Sequence, residues 1–240
     1  MLTYHILKDR PREFLAATSL TPEEFAQLLP TFAAAYVQCY PPTLTSVGQP
    51  RQRRPGAGVK GALPTAADKL LFILVYQKTN PLQTMHGLHF GLSQAQTNYW
   101  IHRLLPVLQQ ALREAGHAPE RDAERVPFSP LLEDQEPALV IDGTERRRQR
   151  PQEPGAQRAH YSGKKKTHTD KNILLVHESS SQILYLGPTV PGSTHDKKAA
   201  DAAQIVYPAN ATLGKDTGFQ GYEPPGVMTY QPKKSRAGAS

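Results

Sequence analysis

The spacing of apolar residues changes once along this chain of 240 residues, and that change restricts the folds open to it. We predict a first helix that Thr21 caps, in which apolar side chains recur at helical intervals over residues 25–36, and a second helix over residues 66–79. Residues 138–141, by contrast, form a short continuous run typical of a buried strand. Residues 172–177 and 183–186 are two further apolar runs, which we predict to pair as a β-hairpin, and residues 196–204 return to a helical pattern. We therefore predict an α/β (α+β) chain, with a helical domain over residues 1–125 and a mixed-sheet domain over residues 126–240.

Composition excludes several classes of protein. The 22 prolines and 17 glycines are too many for a helical bundle and require long loops or linkers, of which residues 41–64 are one. Cys39 is the only cysteine, which rules out an internal disulfide and suits a reducing compartment. The strongest apolar run, residues 70–76, is far shorter than the ~18 residues of a membrane span, and the N-terminus has no apolar leader. We expect a cytoplasmic protein without a membrane partner.

A net charge of +7 indicates an acidic partner, and the excess is concentrated in two blocks. Residues 142–171 contain nine basic and four acidic side chains. The second block has no acid within it and consists of Arg51, Arg53, Arg54 and Lys60. A solvated basic surface explains this second block as well as a bound polyanion does.

A short helix, a glycine turn and a longer helix follow one another near residues 80–108. The spacing predicts a helix over residues 82–90 that is closed by Gly91, after which Ser93 caps a helix with a polar first turn. This pattern is typical of a helix-turn-helix, whose second helix enters the major groove of DNA. The side chains expected to contact base edges are Gln94, Gln96, Thr97 and Asn98, with Arg103 on a phosphate. An ordinary helical hairpin is the alternative.

Two aspartates stand just beyond predicted strands of the second domain. Asp142 follows residues 138–141, and Asp216 follows a weaker run, residues 211–215. If those strands are neighbours, both carboxylates meet at one edge of the sheet, where open sheets bind their ligands. Paired carboxylates suit Mg²⁺ or Mn²⁺, which complete their coordination with water and substrate phosphate. Together with the basic residues, the pair indicates phosphoryl chemistry on a polyanion.

Residues 192–196 offer two supporting candidates. A helix that begins here would be capped by Ser193 or Thr194 and would carry Asp196 in its first turn, where the helix dipole favours an acid. Asp196 is therefore either part of the helix start or part of the site. His195 is either structural or a group that orients a phosphate or an attacking water.

Four motifs occur in the second half of the chain. They are Val140-Ile-Asp-Gly-Thr-Glu, Tyr161-Ser-Gly-Lys-Lys-Lys-Thr-His, Gly192-Ser-Thr-His-Asp and Gly214-Lys-Asp-Thr-Gly-Phe-Gln-Gly-Tyr. In these motifs, and in their order, the chain resembles the DDE-type transposases of bacterial insertion sequences, in the group related to the Harbinger transposases. Residues 66–108, with Phe90-Gly-Leu-Ser-Gln-Ala-Gln-Thr, resemble the helix-turn-helix leader of the same group.

The resemblance implies a ribonuclease-H-like catalytic fold in which Asp142 and Asp216 are the first two metal ligands, for Mg²⁺ or Mn²⁺. It implies that the leader binds double-stranded DNA at the terminal repeats of a mobile element. It also implies that a homo-oligomer, associated with the bacterial nucleoid, cuts and joins element and target DNA. The side chains expected to hold DNA phosphates are Arg146, Arg147, Arg148, Lys164, Lys165 and Lys166.

Enzymes of this kind need a third carboxylate, a Glu on a helix downstream of the second aspartate. The sequence given extends 24 residues past Asp216, and Glu223, in a Pro-Pro loop, is not accepted as a substitute. We therefore expect a truncated product or the first frame of a frameshifted gene, which binds DNA but cuts it weakly or not at all. The alternative is a non-catalytic DNA-binding regulator that competes with the full transposase.

Overall fold

The computed structural model describes residues 1–45, 48–52, 61–132 and 136–231. The chain divides into two compact units, Met1–His117 and Ala118–Ser240. The first unit is helical and the second contains a mixed sheet, so the α+β organisation predicted from the sequence is confirmed.

The first unit ends at His117, whereas the sequence suggested a division after residue 125. The residues in between pack with the second unit. The Glu120 N–H donates to the Leu184 carbonyl oxygen at 2.8 Å, and the Leu186 N–H donates to the Glu120 carbonyl oxygen at 3.0 Å. Val126, in the 3₁₀ helix Ala123–Phe128, is fully buried in the core of the second unit.

Two helix starts predicted for the first unit form as expected. Its described helices are α1 (Tyr4–Leu7), α2 (Pro11–Thr18), α3 (Pro22–Cys39), α4 (Ala66–Thr79), α5 (Gln83–Phe90) and α6 (Gln94–Glu114). Thr21 caps α3 and Ser93 caps α6, each in a reciprocal capping box with the residue three positions on. Gly91 ends α5 with a φ of 68°, a left-handed conformation that glycine adopts without strain.

The core of the first unit is built on α4, which is apolar on nearly all sides. Leu70, Leu71, Phe72 and Ile73 are fully buried, so neighbouring helices must cover α4 all round. Helices α3 and α6 pack on each other and on α4. The first turn of α6 remains exposed at Gln94.

Helix α5 approaches the start of α6 so closely that Gly87 has no room for a side chain. A Cβ at Gly87 would lie 2.5 Å from the Leu92 carbonyl oxygen and 2.6 Å from the Thr97 hydroxyl oxygen. The pairing of α5 with α6 therefore depends on a glycine inside a helix, although glycine weakens helices.

We expect Gly87→Ala to destabilise the first unit by about 1–3 kcal/mol, because the added methyl group must displace α5 from a backbone carbonyl. Gly61→Ala is the matched control in the same unit, since a Cβ at Gly61 meets nothing within 4 Å. The free energy of unfolding of each variant is measured by urea denaturation. Equal stability of the two variants would contradict the close helix contact.

The second unit contains a sheet of seven described strands. They are β1 (Ala138–Arg147), β2 (Tyr161–Ser162), β3 (Thr167–His177), β4 (Ile183–Leu186), β5 (Val190–Pro191), β6 (Thr212–Lys215) and β7 (Met228–Tyr230), with helices α7 (Pro154–His160) and α8 (Asp196–Ala203). The order is β2-β3-β1-β6-β7, and β4 and β5 also pair with β3. β1 is antiparallel to β3 and parallel to β6, and the hairpin predicted from β3 and β4 forms.

Strands β1 and β3 are longer than the sequence predicted. We expected β1 to end at residue 141 and β3 to begin at residue 172, but β1 continues through Asp142 and β3 begins at Thr167. The register of the extension places Glu145 opposite Lys171 and Arg146 opposite Asp170, and opposite charges across two strands stabilise the pairing. Asp142 therefore lies inside β1, where pairing with β6 ends, and not beyond the strand as predicted.

The core of the second unit lies between the sheet and α8. Leu139, Ile141, Leu175 and Leu213 from three neighbouring strands are buried in one cluster with Ala200 of α8. This packing fixes the start of α8 near the sheet. Within the described ranges of the chain, no helix has the length and apolar character needed to cross a membrane.

Candidate active site

Asp142, in β1, and Asp216, the first residue after β6, come to adjacent positions where the pairing of these two strands ends. β1 and β6 are neighbouring parallel strands, and their register pairs Ile141 with Lys215, so the two aspartates are the next residues along. Both side chains belong to exposed residues. The condition that the sequence left open, namely that the two strands are neighbours, is met. The roles of the two carboxylates as metal ligands stay predictions.

Each of these carboxylates is oriented by a backbone amide. Asp142 Oδ1 accepts a hydrogen bond of 2.7 Å from the Gly143 N–H, and Asp216 Oδ1 accepts one of 2.8 Å from the Gly218 N–H. Exposed carboxylate oxygens suit Mg²⁺ or Mn²⁺. The described residues contain no group of three or more His, Cys, Asp or Glu side chains placed to hold a metal ion. A cation here would need water and substrate oxygens as further ligands.

Asp196, in the first turn of α8, reaches toward the backbone beside both aspartates. A Cβ placed at Gly143 would lie 2.8 Å from Asp196 Oδ1. A Cβ placed at Gly218 would lie 2.7 Å from Asp196 Oδ2 and 3.0 Å from Asp216 Oδ1. The glycine after Asp142 and the glycine in the turn after Asp216 therefore make room for this third carboxylate.

A buried lysine holds Asp196 in that position. Lys171, on β3, is 5% exposed, and its ammonium group donates to Asp196 Oδ1 and to the Thr194 carbonyl oxygen, both at 2.7 Å. Glu145 Oε1 lies 3.5 Å from the same ammonium nitrogen. Two carboxylates thus compensate one buried cation, as burial of a charge requires. We did not predict Lys171 as a site residue; the only signal was a lysine at the start of an apolar strand.

Glu145 is the more deeply buried carboxylate of this group. Burial alone would raise the pKa of Glu145, but hydrogen bonds from Ser162 and Thr169 and the Lys171 ammonium hold that pKa below its ordinary value. Because the pKa is lower in the folded state, ionised Glu145 stabilises the fold above its unfolded pKa. That contribution is lost as the pH falls through the folded pKa.

The residues before α8 do not form the predicted cap. The N-cap is His195, an exposed residue whose side chain makes no capping hydrogen bond. The Ser193 hydroxyl donates to the Ala159 carbonyl oxygen, and the Thr194 carbonyl oxygen accepts from Lys171, so these contacts direct the segment toward α7 and β3. The supporting role of His195 stays a prediction.

Glu223 is hydrogen-bonded to Lys215, the residue before Asp216, and to Thr229 of β7. Its carboxylate accepts hydrogen bonds from the Lys215 ammonium and the Thr229 hydroxyl. These two contacts, the Lys215 contact first, lower the pKa of Glu223. Lys215 is itself buried in β6, so Glu223 serves as its counter-charge.

The basic residues around β1 fall into two groups. At the tip of the β2–β3 hairpin, three consecutive residues are exposed, namely Lys164, Lys165 and Lys166. Arg147 is also exposed, but its neighbours are engaged: Arg146 donates to Asn172 Oδ1 at 2.7 Å, and Arg148 donates to Asp170 Oδ1 at 2.9 Å. Of the second basic block, Arg51 is described, whereas Arg53, Arg54 and Lys60 lie outside the described residues.

Helix α6 exposes only part of the predicted DNA-reading set. Gln94 and Gln96 are exposed in the first turn, although Gln96 also completes the cap at Ser93. Asn98 is half-buried. Arg103, which lies farther along α6, is stacked on the ring of Tyr40 at the end of α3.

Thr97 does not fit the predicted role. The residue is 0% exposed, and its hydroxyl donates to the Ser93 carbonyl oxygen at 2.9 Å. Thr97 faces Gly87 of α5, because the helical repeat turns position 97 toward the first helix of the pair. In this structure it cannot contact a base edge, so this part of the prediction was wrong.

Comparison with known families assigns both units. Residues 141–239 match the family of DDE superfamily endonucleases, and residues 61–114 match the helix-turn-helix of DDE superfamily endonucleases. Together these matches cover more than half of the chain. The chain belongs to the DDE endonuclease superfamily. Its architecture agrees with the predicted order of a helix-turn-helix domain followed by a ribonuclease-H-like mixed sheet.

One curated relative of this chain is the probable transposase for insertion sequence element IS702 from Microchaete diplosiphon. The two are 25% identical over 171 residues, which cover 71% of this chain and 57% of the relative. The matched region thus spans less than two thirds of the relative's length. No solved structure matches the chain. The narrower assignment to the Harbinger-related group stays a prediction.

Lys171 and Lys197 each pair with an aspartate, at 2.7 and 2.6 Å, but only Lys171 is buried. We expect Lys171→Met to lower the free energy of unfolding by about 3–5 kcal/mol, because Glu145 and Asp196 lose their buried counter-charge. Lys197→Met, the matched control, should cost less than about 0.5 kcal/mol, since its pair with Asp201 is exposed. Urea denaturation measures both. Similar losses for the two variants would show that the buried pair does not stabilise the second unit.

Proposed function

We propose that this chain acts in transposition, binding the ends of a mobile DNA element and cutting and joining DNA by divalent-metal-dependent phosphoryl transfer. The observation that carries the proposal is the adjacent placement of Asp142, on β1, and Asp216, directly after β6, in a chain with the helix-turn-helix of the same superfamily. The relative described as a probable insertion-sequence transposase supports it. We also propose that the chain acts on DNA as a homo-oligomer, in association with the bacterial nucleoid.

Asp142 and Asp216 are the residues proposed to hold Mg²⁺ or Mn²⁺. When bound, the cation supplies Lewis-acid stabilisation of phosphoryl oxygens and activation of a water molecule. The backbone amides of Gly143 and Gly218 orient the two carboxylates. Asp196, held by Lys171, lies beside Gly143 and Gly218, and its proposed role is to maintain the spacing of the two metal-binding aspartates.

The proposed DNA contacts divide by unit. In the first unit, Gln94, Gln96 and Asn98 of α6 contact base edges, and Thr97 is excluded by its burial. In the second unit, phosphates are held by exposed cations, of which the three consecutive lysines of the β2–β3 tip form one group. His195, exposed before α8, is the remaining candidate for orienting a phosphate.

We expect replacement of the three hairpin-tip lysines, Lys164, Lys165 and Lys166, by Gln to weaken duplex DNA binding. If each holds one phosphate, the slope of log affinity against log salt should decrease in magnitude by about 0.9 per lysine, because fewer counterions are released. Replacing three cations of the first unit, Arg10, Arg12 and Lys78, is the matched control for overall charge. Gel shifts at several salt concentrations measure the slopes. Equal changes in the two triple variants would contradict a specific phosphate contact at the hairpin tip.

We expect Asp142→Asn to leave duplex binding unchanged and to reduce Mg²⁺-dependent strand cutting by about 100-fold or more, because a charged metal ligand is lost. Asp201→Asn is the matched control, since Asp201 is exposed and paired with Lys197 in α8. Nicking assays and gel shifts on the same preparations separate cutting from binding. Cutting that persists in Asp142→Asn would remove Asp142 from the site.

A second function, a non-catalytic regulator that binds the same DNA ends, is favoured by one observation. Among the described residues, no third acidic or histidine side chain is grouped with Asp142 and Asp216 in a metal-binding arrangement. We propose, accordingly, that the 240-residue chain cuts DNA weakly. Specific binding by the purified chain without Mg²⁺-dependent cutting supports the regulator, whereas cutting that depends on Asp142 supports the enzyme.

A further inference from the structure

A cleft in the first unit is lined by tyrosines and arginines. It is formed by the C-terminal end of α3, the segment that follows it and the middle of α6, and its volume is about 710 Å³. Its aromatic and cationic walls are Tyr36, Tyr40, Tyr99, Arg51 and Arg103. Pockets of this size accommodate small organic groups.

Arg103 is fixed in this cleft by aromatic rings. Its guanidinium carbon lies 3.4 Å from the centre of the Tyr40 ring and 5.7 Å from the centres of the Tyr36 and Tyr99 rings. The Tyr40 hydroxyl donates to the Arg103 carbonyl oxygen at 3.2 Å, which ties the ring to α6. Stacking of this kind covers the face of the guanidinium, while its N–H donors lie in the plane and point outward along its edge.

The positive charge of the cleft is not balanced by acids. None of the described residues that line it carries a carboxylate, and Arg51 adds a second guanidinium. Lys69 lies 5.4 Å from the centre of the Tyr36 ring. Burial lowers the pKa of Lys69, Asp68 opposes that shift, and the charge of Arg103 lowers the pKa further. An anion bound at Arg103 would relieve this repulsion between cations.

Tyr99 adds an exposed aromatic face to the cleft. It is 53% exposed, and its ring meets that of Trp100 edge to face, with the centroids 5.5 Å apart. Proteins bind unpaired nucleotides with this combination, in which a base stacks on an aromatic ring while the phosphate meets a cation.

We propose that this cleft binds an unpaired nucleotide of a DNA strand, with its base stacked on Tyr99 and its phosphate bound by Arg103 and Arg51. The inference rests on the proposed function, because it takes DNA as the ligand, but it is separate from the base contacts of the first turn of α6. A fully paired strand does not present a free base face. The cleft therefore distinguishes single-stranded or opened DNA from closed duplex.

Trp100 provides a direct reporter, because it is the only tryptophan of the chain and contacts Tyr99. A single-stranded oligothymidylate is titrated into the full 240-residue chain while tryptophan emission is recorded. We expect saturable quenching, with affinity about tenfold lower in Tyr99→Ala and within about twofold of the native value in Tyr99→Phe, which keeps the ring. Phe128→Ala, at an exposed aromatic residue of the second unit that is not among the proposed DNA contacts, is the control and should leave the affinity unchanged.

Arg103→Lys tests the cation separately. It keeps the charge but loses the planar guanidinium, so we expect about fivefold weaker binding of the oligothymidylate. Tyr99 is exposed, and its replacement should leave the melting temperature unchanged. If Tyr99→Ala does not fold, Tyr99→Leu replaces it, since leucine keeps apolar bulk without an aromatic face.

A closed duplex of the same length is measured in parallel by anisotropy. Duplex binding together with equal single-strand affinities of the native chain and Tyr99→Ala would overturn this inference and leave the proposed function intact. Failure of the native chain to bind either form of DNA would overturn both.

Discussion

The double pairing of β1, antiparallel to β3 on one side and parallel to β6 on the other, is the constraint on which the second unit depends. Through β6 it brings Asp142 beside Asp216, and through β3 it places Glu145 opposite Lys171. A slip of one residue in either register would turn every side chain of β1 to the other face and separate both pairs. The position of Asp142 beside Asp216 and the buried pair of Glu145 with Lys171 thus both depend on the register of β1.

The buried charge of Lys171 connects that sheet to α8. An ammonium group in the interior is stable only with counter-charges, and Glu145 and Asp196 provide them from β1 and from the first turn of α8. Asp196 then requires glycine at positions 143 and 218, where any Cβ would lie within 3 Å of its carboxylate. This explains in physical terms why each proposed metal-binding aspartate is followed closely by a glycine.

The sequence predicted correctly the helix and strand bounds, caps and turns that depend on interactions between residues close together in the chain. The bounds of α4 and β4, the cap at Thr21 and the turn at Gly91 follow from nearest neighbours along the chain, and the structure confirms them. The lengths of β1 and β3 were underestimated, because their polar halves are stabilised by charges on the opposite strand. Thr97 was assigned to DNA because it is polar, but the approach of α5 buries it.

The sequence by itself determined the order of a helical unit and a mixed sheet, and the identity of the two acidic motifs, because hydrophobic periodicity and short motifs are properties of consecutive residues. Only the tertiary structure decided that Asp142 and Asp216 are neighbours, that Lys171 holds Asp196, and that tyrosines enclose Arg103. Each of these contacts joins residues far apart in the chain, and the free energy that selects them comes from packing and charge compensation between elements, which no local pattern encodes.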